Sequence, residues 1–206
     1  MSHNQGMQSV EHKVLQRIYG RGRGAVHTQV SFSDLGQRGT IDKTLKVLTD
    51  RGTLRRLAKG LYDYPMIHPK LGPLTPPPET IAKALAGGEA MRIQPSGAYA
   101  ANLLGLSLQV PANVEFLTDG NNRKVEVGNQ TITLKRTTPK NMATAGRISG
   151  LVIQALRYLG QPAVDETVIR KLAAILSEKD RNSLKRDLKY APAWIAKIMR
   201  KLSDGA

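Results

Sequence analysis

Cysteine is absent from all 206 residues. That excludes disulfides, thiolate zinc sites and cysteine nucleophiles, and it fits a reducing compartment. Long apolar runs are also missing: none approaches the ~20 residues that span a bilayer. The start, Met1-Ser-His-Asn-Gln-Gly6, is polar, with nothing resembling the apolar core of a signal peptide. A cytoplasmic protein with no membrane partner is expected. Acidic residues are scarce, 16 against 31 Lys and Arg, giving a net charge of +15 and a pI near 10.3. Such a balance calls for a polyanionic partner.

Catalytic patterns are missing too. His3, His12, His27 and His68 stand at no metal-ligand spacing. His27 and His68 read as solvated loop or strand-edge residues. No Gly-x-Ser-x-Gly elbow occurs. Gly20-Arg-Gly-Arg-Gly24 lacks the following Gly-Lys-Ser/Thr of a phosphate-cradling loop. It fits either a helix cap followed by a loop or an RG-type nucleic-acid patch. Glu115, Asp119 and Glu126 would gather on neighbouring strands, where carboxylates can hold a divalent metal for phosphodiester cleavage. The Glu-x-Lys that completes a nuclease pattern fails, because Gly128 stands where the lysine would be. Asp119 also opens a turn. No enzyme, no cofactor and no metal site is therefore expected.

What is present is concentrated in residues 31–65. This stretch reads as a short helix, a polar turn Gly36-Gln-Arg-Gly39, an amphipathic helix and a basic two-stranded hairpin. That is the order of a winged helix-turn-helix. In the second helix Thr40 is the expected N-cap, and Ile41, Leu45 and Leu48 recur at i, i+4 and i+7 as one apolar stripe. Gly52 supplies the left-handed end. Strands over 54–57 and 61–64 flank Ala58-Lys-Gly60, where Gly60 takes φ > 0. Gln37, Arg38, Thr40, Lys43, Thr44 and Lys46 are the expected reading surface, because long or hydrogen-bonding side chains reach base edges and phosphates. Arg55, Arg56 and Lys59 on the wing would neutralise phosphates. The competing reading is a packing module whose lysines are merely solvated.

The remaining chain is organised around prolines. Six of the eleven lie between Pro65 and Pro78, ending in Thr75-Pro-Pro-Pro78, which favours polyproline II and reads as a semi-rigid linker. Residues 10–19 form the first helix, ended by Gly20, and 25–30 supply a short strand to pair with the wing. After the linker come helices over 79–85 and 97–104, and strands over 114–117, 124–127 and 131–135 with turns at 119–122 and 128–129. Helices over 145–159 and 165–177 follow, then a basic pair from 180 to 202, where Pro192 opens the last helix and Trp194 anchors it in the core. The expected fold is α+β: a winged helix-turn-helix domain (1–70), a linker (71–78), and a mixed C-terminal domain (79–206) with a small antiparallel sheet and terminal helices. Charge is spread over both parts, net +7 over residues 1–78 and +8 over residues 79–206.

Two segments carry a family likeness. Leu54-Arg-Arg-Leu-Ala-Lys-Gly-Leu-Tyr-Asp-Tyr-Pro65 is one. Pro95-Ser-Gly-Ala-Tyr-Ala-Ala-Asn-Leu-Leu-Gly105, followed by Gln109-Val-Pro111 and Glu115-Phe-Leu-Thr118, is the other. They resemble the AbiEi-type antitoxin and transcriptional regulator family of bacterial type IV toxin–antitoxin systems. The resemblance implies a repressor that binds double-stranded DNA at its own operator, with a nucleotidyltransferase-like toxin as genetic partner. It also implies a C-terminal domain that opposes toxicity, without a stable toxin complex as the rule. The alternative is a nucleic-acid or protein adaptor using the basic C-terminal helices.

Overall fold

The computed structural model describes residues 2–88 and 91–205. The chain is α+β and divides into two compact units, Met1–Ala90 and Met91–Ala206.

In the first unit, α1 (Ser2–Arg21) leads to β1 (Val26–Thr28), a single 3₁₀ turn (Gln29–Phe32) and α2 (Arg38–Asp50). Then come β2 (Arg55–Ala58), β3 (Leu61–Asp63), the short pair β4 (Ile67–His68) and β5 (Gly72–Pro73), and α3 (Pro78–Ala86). Val14 and Ile18 of α1, Phe32, and Ile41, Leu45 and Leu48 of α2 close one core with Leu54. The i, i+4, i+7 stripe thus does what its spacing predicts. Each such aliphatic side chain, fully buried, contributes about 2 kcal/mol. β1, β3 and β2 form a three-stranded antiparallel sheet in that order, with β1 pairing to the hairpin as expected.

Several expectations need correction here. The helix ahead of the turn is only the 3₁₀ turn Gln29–Phe32. α1 continues through Gly20 and ends one residue later, with Gly22 at φ +80. α2 starts three residues early: Gln37 is its N-cap, and Thr40 N and Ile41 N both reach Gln37 O at 3.0 Å, so Thr40 is already inside the helix. The proline stretch is not a free linker either. β4 and β5 pair within it, Leu74 N donating to Met66 O at 2.8 Å, and the contact boundary falls at residues 90/91. α3 packs on β1 in the first unit, because Ile81, Ala82, Ala84 and Leu85 form a buried face.

The second unit opens with β6 (Ile93–Ser96) and α4 (Gly97–Leu103), followed by β7 (Asn113–Thr118), β8 (Arg123–Val127) and β9 (Gln130–Arg136). Its sheet runs β6-β7-β9-β8. β7 and β9 pair in parallel, whereas β6–β7 and β8–β9 are antiparallel, so the sheet is mixed and not antiparallel throughout. β9 takes the middle because Ile132 and Leu134 are buried. β8, with Arg123, Lys124 and Glu126 exposed, takes the edge, where charges discourage pairing with other chains. A short α5 (Pro139–Met142) leads to α6 (Ile148–Leu159), α7 (Glu166–Ile175), α8 (Glu178–Asp187) and α9 (Ala193–Ser203). Buried residues of α4, α6, α7, α8 and α9 share one core, against which Trp194 packs.

Candidate nucleic-acid interface

Placement of α2 begins with a clamp. Arg17 of α1 donates to both carboxylate oxygens of Asp34, at 2.5 and 2.7 Å, and to Ser31 O at 2.9 Å. This pins the 3₁₀ turn to α1 and fixes where the chain re-enters as α2. The guanidinium hydrogen bonds hold the Asp34 carboxyl at about pKa 2. Gly36 then passes against Val10, where a Cβ would stand 3.3 Å from Val10 Cγ2. The turn is therefore compact because of a residue with no side chain.

On the outward side of α2, Gln37, Arg38, Lys43 and Lys46 are exposed. Lys46 pairs with Asp50 at 2.7 Å, one helical turn on, in water. Such an exposed pair is worth little and opens readily toward a stronger anion. Asp42 shares the surface and dilutes its charge. Beside the helix start lies a cleft of about 210 Å³ lined by Gln29, Val30, Ser33, Gly36, Arg38 and Ile41. Val30 is 56% exposed there, an apolar surface residue unflagged by any sequence pattern.

Two of the expected contact residues lie elsewhere. Thr44 is buried on the core side, one residue before Leu45, with its hydroxyl unpartnered. Its position on the helical wheel, not its polarity, decided the outcome. Thr40 is half-buried in the first turn.

The β2–β3 hairpin separates its three cations by role. Arg56 and Lys59 are exposed, Lys59 beside Gly60 at φ +72, with a register shift between Arg56 and Ala58. Arg55 faces the other way. Its Nε and Nη2 meet the fully buried Asp63 carboxylate at 3.1 and 2.6 Å, and Nη2 also donates to Leu74 O at 2.7 Å. Arg55 holds the base of the hairpin and is spent internally. Arg23, from the Gly20–Gly24 stretch, donates to Pro65 O at 2.9 Å and lies 4.6 Å from the Tyr64 ring centroid. Its neighbours Gly22 and Gly24 take positive φ, as a loop after a helix end requires.

His27 is a further correction. It sits fully buried on β1 against Phe32, with both ring nitrogens unpartnered, and burial drives its pKa down to about 4. His68 is exposed, and its Nδ1 accepts from Lys70 N and Leu71 N at 3.2 Å, organising the turn between β4 and β5.

In the second unit the three carboxylates do not converge. β9 lies between β7 and β8, so Glu115 and Glu126 stand two strand spacings apart, about 10 Å. Glu115 accepts from Ser96 Oγ at 3.1 Å and lies 3.9 Å from Lys135 Nζ, and Asp119 pairs with Arg92 at 2.9 Å. No group of three His, Asp or Glu able to hold a metal occurs among the described residues. No helix there is long and apolar enough to cross a membrane.

Among the C-terminal cations, Arg181 is structural. It donates to Leu202 O at 2.9 Å and Ala173 O at 3.0 Å, capping the ends of α9 and α7. Lys201 pairs with Glu166 at 2.7 Å. Lys179, Lys189, Lys197 and Arg200 are exposed.

Comparison with curated proteins and with solved structures returns no match. A family model does match, over residues 13–184, from within α1 through most of α8. The chain belongs to that family, described as a family of unknown function (DUF6088).

Proposed function

We propose that the first unit is a winged helix-turn-helix that binds double-stranded DNA, and that the protein is a transcriptional regulator. The observation that supports this reading is the exposure of Gln37, Arg38, Lys43 and Lys46 on α2 and of Arg56 and Lys59 on the hairpin. A helix of 13 residues with one apolar face sealed in a core and a polar, cationic face free is the size and pattern that fits a major groove. The hairpin cations supply sequence-independent affinity by releasing counterions. Thr40, Thr44 and Arg55 are left out of this surface, and Val30 is added for contact with a thymine methyl.

The more specific reading is autorepression with antitoxin activity against a nucleotidyltransferase-like toxin in the cytoplasm. It rests on the resemblance of residues 54–65 and 95–118 to the AbiEi-type family. A nucleotidyltransferase reading frame beside this one, whose toxicity this protein relieves, supports it. Absence of relief removes the antitoxin role and leaves DNA binding standing.

Binding to the DNA upstream of its own reading frame is the central experiment. Affinity there should exceed that for a scrambled duplex and fall steeply with salt. Equal affinity for both duplexes defeats the regulator reading. A second reading, an adaptor for an acidic partner or structured RNA, is favoured by the exposed Lys179, Lys189, Lys197 and Arg200. Replacing these four by Gln tests it cleanly, whereas deleting α8 and α9 would remove Leu184, Ile195, Met199 and Leu202 from the core.

A further inference from the structure

The segment between β3 and α3 combines features that do not belong together in a simple connector. Both feet are fixed by guanidinium groups: Arg23 on Pro65 O, and Arg55 on Leu74 O with Pro73 O at 3.4 Å. β4 and β5 pair between those feet, and His68 Nδ1 ties the turn at Pro69-Lys70-Leu71. Yet the side chains carried on this ordered frame point into water: Met66 is 49% exposed, Ile67 50% and Leu71 73%. Residues 64–78 contain Lys70 and no acidic residue. Holding aliphatic side chains in water on a fixed hairpin gains nothing for the fold. The combination suits a partner that is anionic outside and apolar within.

We infer that the 66–74 hairpin is a second DNA-contacting finger, which sets Ile67 and Leu71 into the minor groove while Lys70 meets a flanking phosphate. This rests on the DNA-binding reading above and goes beyond it in adding an element and a groove. Aliphatic and proline side chains at a hairpin tip wedge between base steps and kink the duplex, and the feet held by Arg23 and Arg55 resist the strain this creates. A·T-rich and pyrimidine–purine steps are the preferred sites, because they deform at least cost.

The test uses the full chain and a duplex of about 30 base pairs from the upstream DNA, end-labelled for energy transfer so that bending is read directly. The variants are I67S/L71S, Lys70→Gln and, on the wing, Lys59→Gln. Thermal unfolding checks that each keeps its fold, which is expected because the altered side chains are exposed. The wild type should bend the duplex, and a minor-groove ligand such as netropsin should compete with it. I67S/L71S should abolish bending and lose about tenfold in affinity with an unchanged salt slope, because apolar contact is what it removes. Lys70→Gln and Lys59→Gln should keep bending and each flatten the salt slope by about one. If wild type and I67S/L71S bind and bend alike, the finger is overturned while the DNA-binding reading stands. If the wild type also binds anionic phospholipid vesicles, and I67S/L71S loses that binding while its DNA bending stays intact, the finger is overturned in favour of a lipid contact. Failure of the wild type to bind any duplex removes the DNA-binding reading itself.

Discussion

Arg55 Nη2 stands 2.6 Å from Asp63 Oδ2, across the β2–β3 pair, and Asp63 has no exposure to solvent. Its neighbour Arg56 is exposed. Alternation along a strand therefore divides two adjacent arginines between the fold and the solvent. Arg55→Ala leaves a buried carboxylate without its cation and should cost about 3 kcal/mol. Arg56→Ala should leave the unfolding midpoint unchanged and lower the salt dependence of DNA binding by about one phosphate contact. Thermal unfolding and salt titration of both variants check this. Equal stability of the two would refute the division of roles.

His27 gives the protein an acid limit. Its folded pKa is about 4 against an ordinary 6.5, because burial disfavours the charged ring and Arg21 adds repulsion. Above pH 6.5 the ring is neutral in folded and unfolded chains alike, and its contribution is intact. Between 6.5 and about 4 only the unfolded chain takes up the proton, so stability falls by about 1.4 kcal/mol per pH unit and then levels off. His27→Phe, which also removes two unpartnered nitrogens, should flatten this part of the stability curve. Denaturant unfolding at pH 7, 6 and 5 makes the comparison, and an unchanged slope would count against it.

Thr44 offers a sharp contrast between side-chain type and position. Its hydroxyl is buried without a partner on the core face of α2. Thr44→Val should therefore stabilise the fold by about 1 kcal/mol and leave DNA affinity and specificity untouched. Lys43→Ala, on the exposed face, should do the reverse. A loss of sequence discrimination in Thr44→Val would show that α2 is turned differently.

Gly150 lies in the first turn of α6, where an added Cβ would overlap the Thr144 carbonyl oxygen and Gln94 Oε1. Nearby, Ser149 Oγ donates to the buried Asp187, and Arg147 Nε lies 2.9 Å from the same carboxylate without hydrogen-bond alignment. The start of α6 therefore packs against β6 and the Thr144 turn only because position 150 has no side chain. Gly150→Ala should cost about 2 kcal/mol, more than the same change at the exposed Gly39, where nothing stands within 4 Å. Comparable midpoints for the two variants would mean that the contact relaxes freely.

Lys46 and Asp50 make the final comparison. Asp50→Asn frees Lys46 and removes a like charge from the approach of a phosphate, so DNA affinity should rise and its salt slope steepen by up to one. Stability should change by less than about 0.5 kcal/mol, because the pair is exposed.

Local order was legible wherever periodicity was strong. Ile41, Leu45 and Leu48 announced both α2 and its core face, and Gly52, Gly60 and Gly128 marked backbone positions that take positive φ. Boundaries were less legible. Thr40 has the chemistry of a cap, but helix initiation three residues earlier places it inside, since Gln37 O already accepts the first helical bonds. The proline run suggested a linker because proline resists regular structure, yet its fate was set by two arginines 42 and 19 residues away in sequence.

Composition and short-range pattern by themselves determined the α+β class, the basic character, the element types, and the exclusion of cysteine chemistry. These depend on residue type and on neighbours within a turn or a strand. Tertiary structure alone decided that β9 slots between β7 and β8, that Arg55 is spent on Asp63, and that Thr44 and His27 are buried. Each is a choice among locally equivalent arrangements, and only contacts between residues far apart in the chain distinguish their energies.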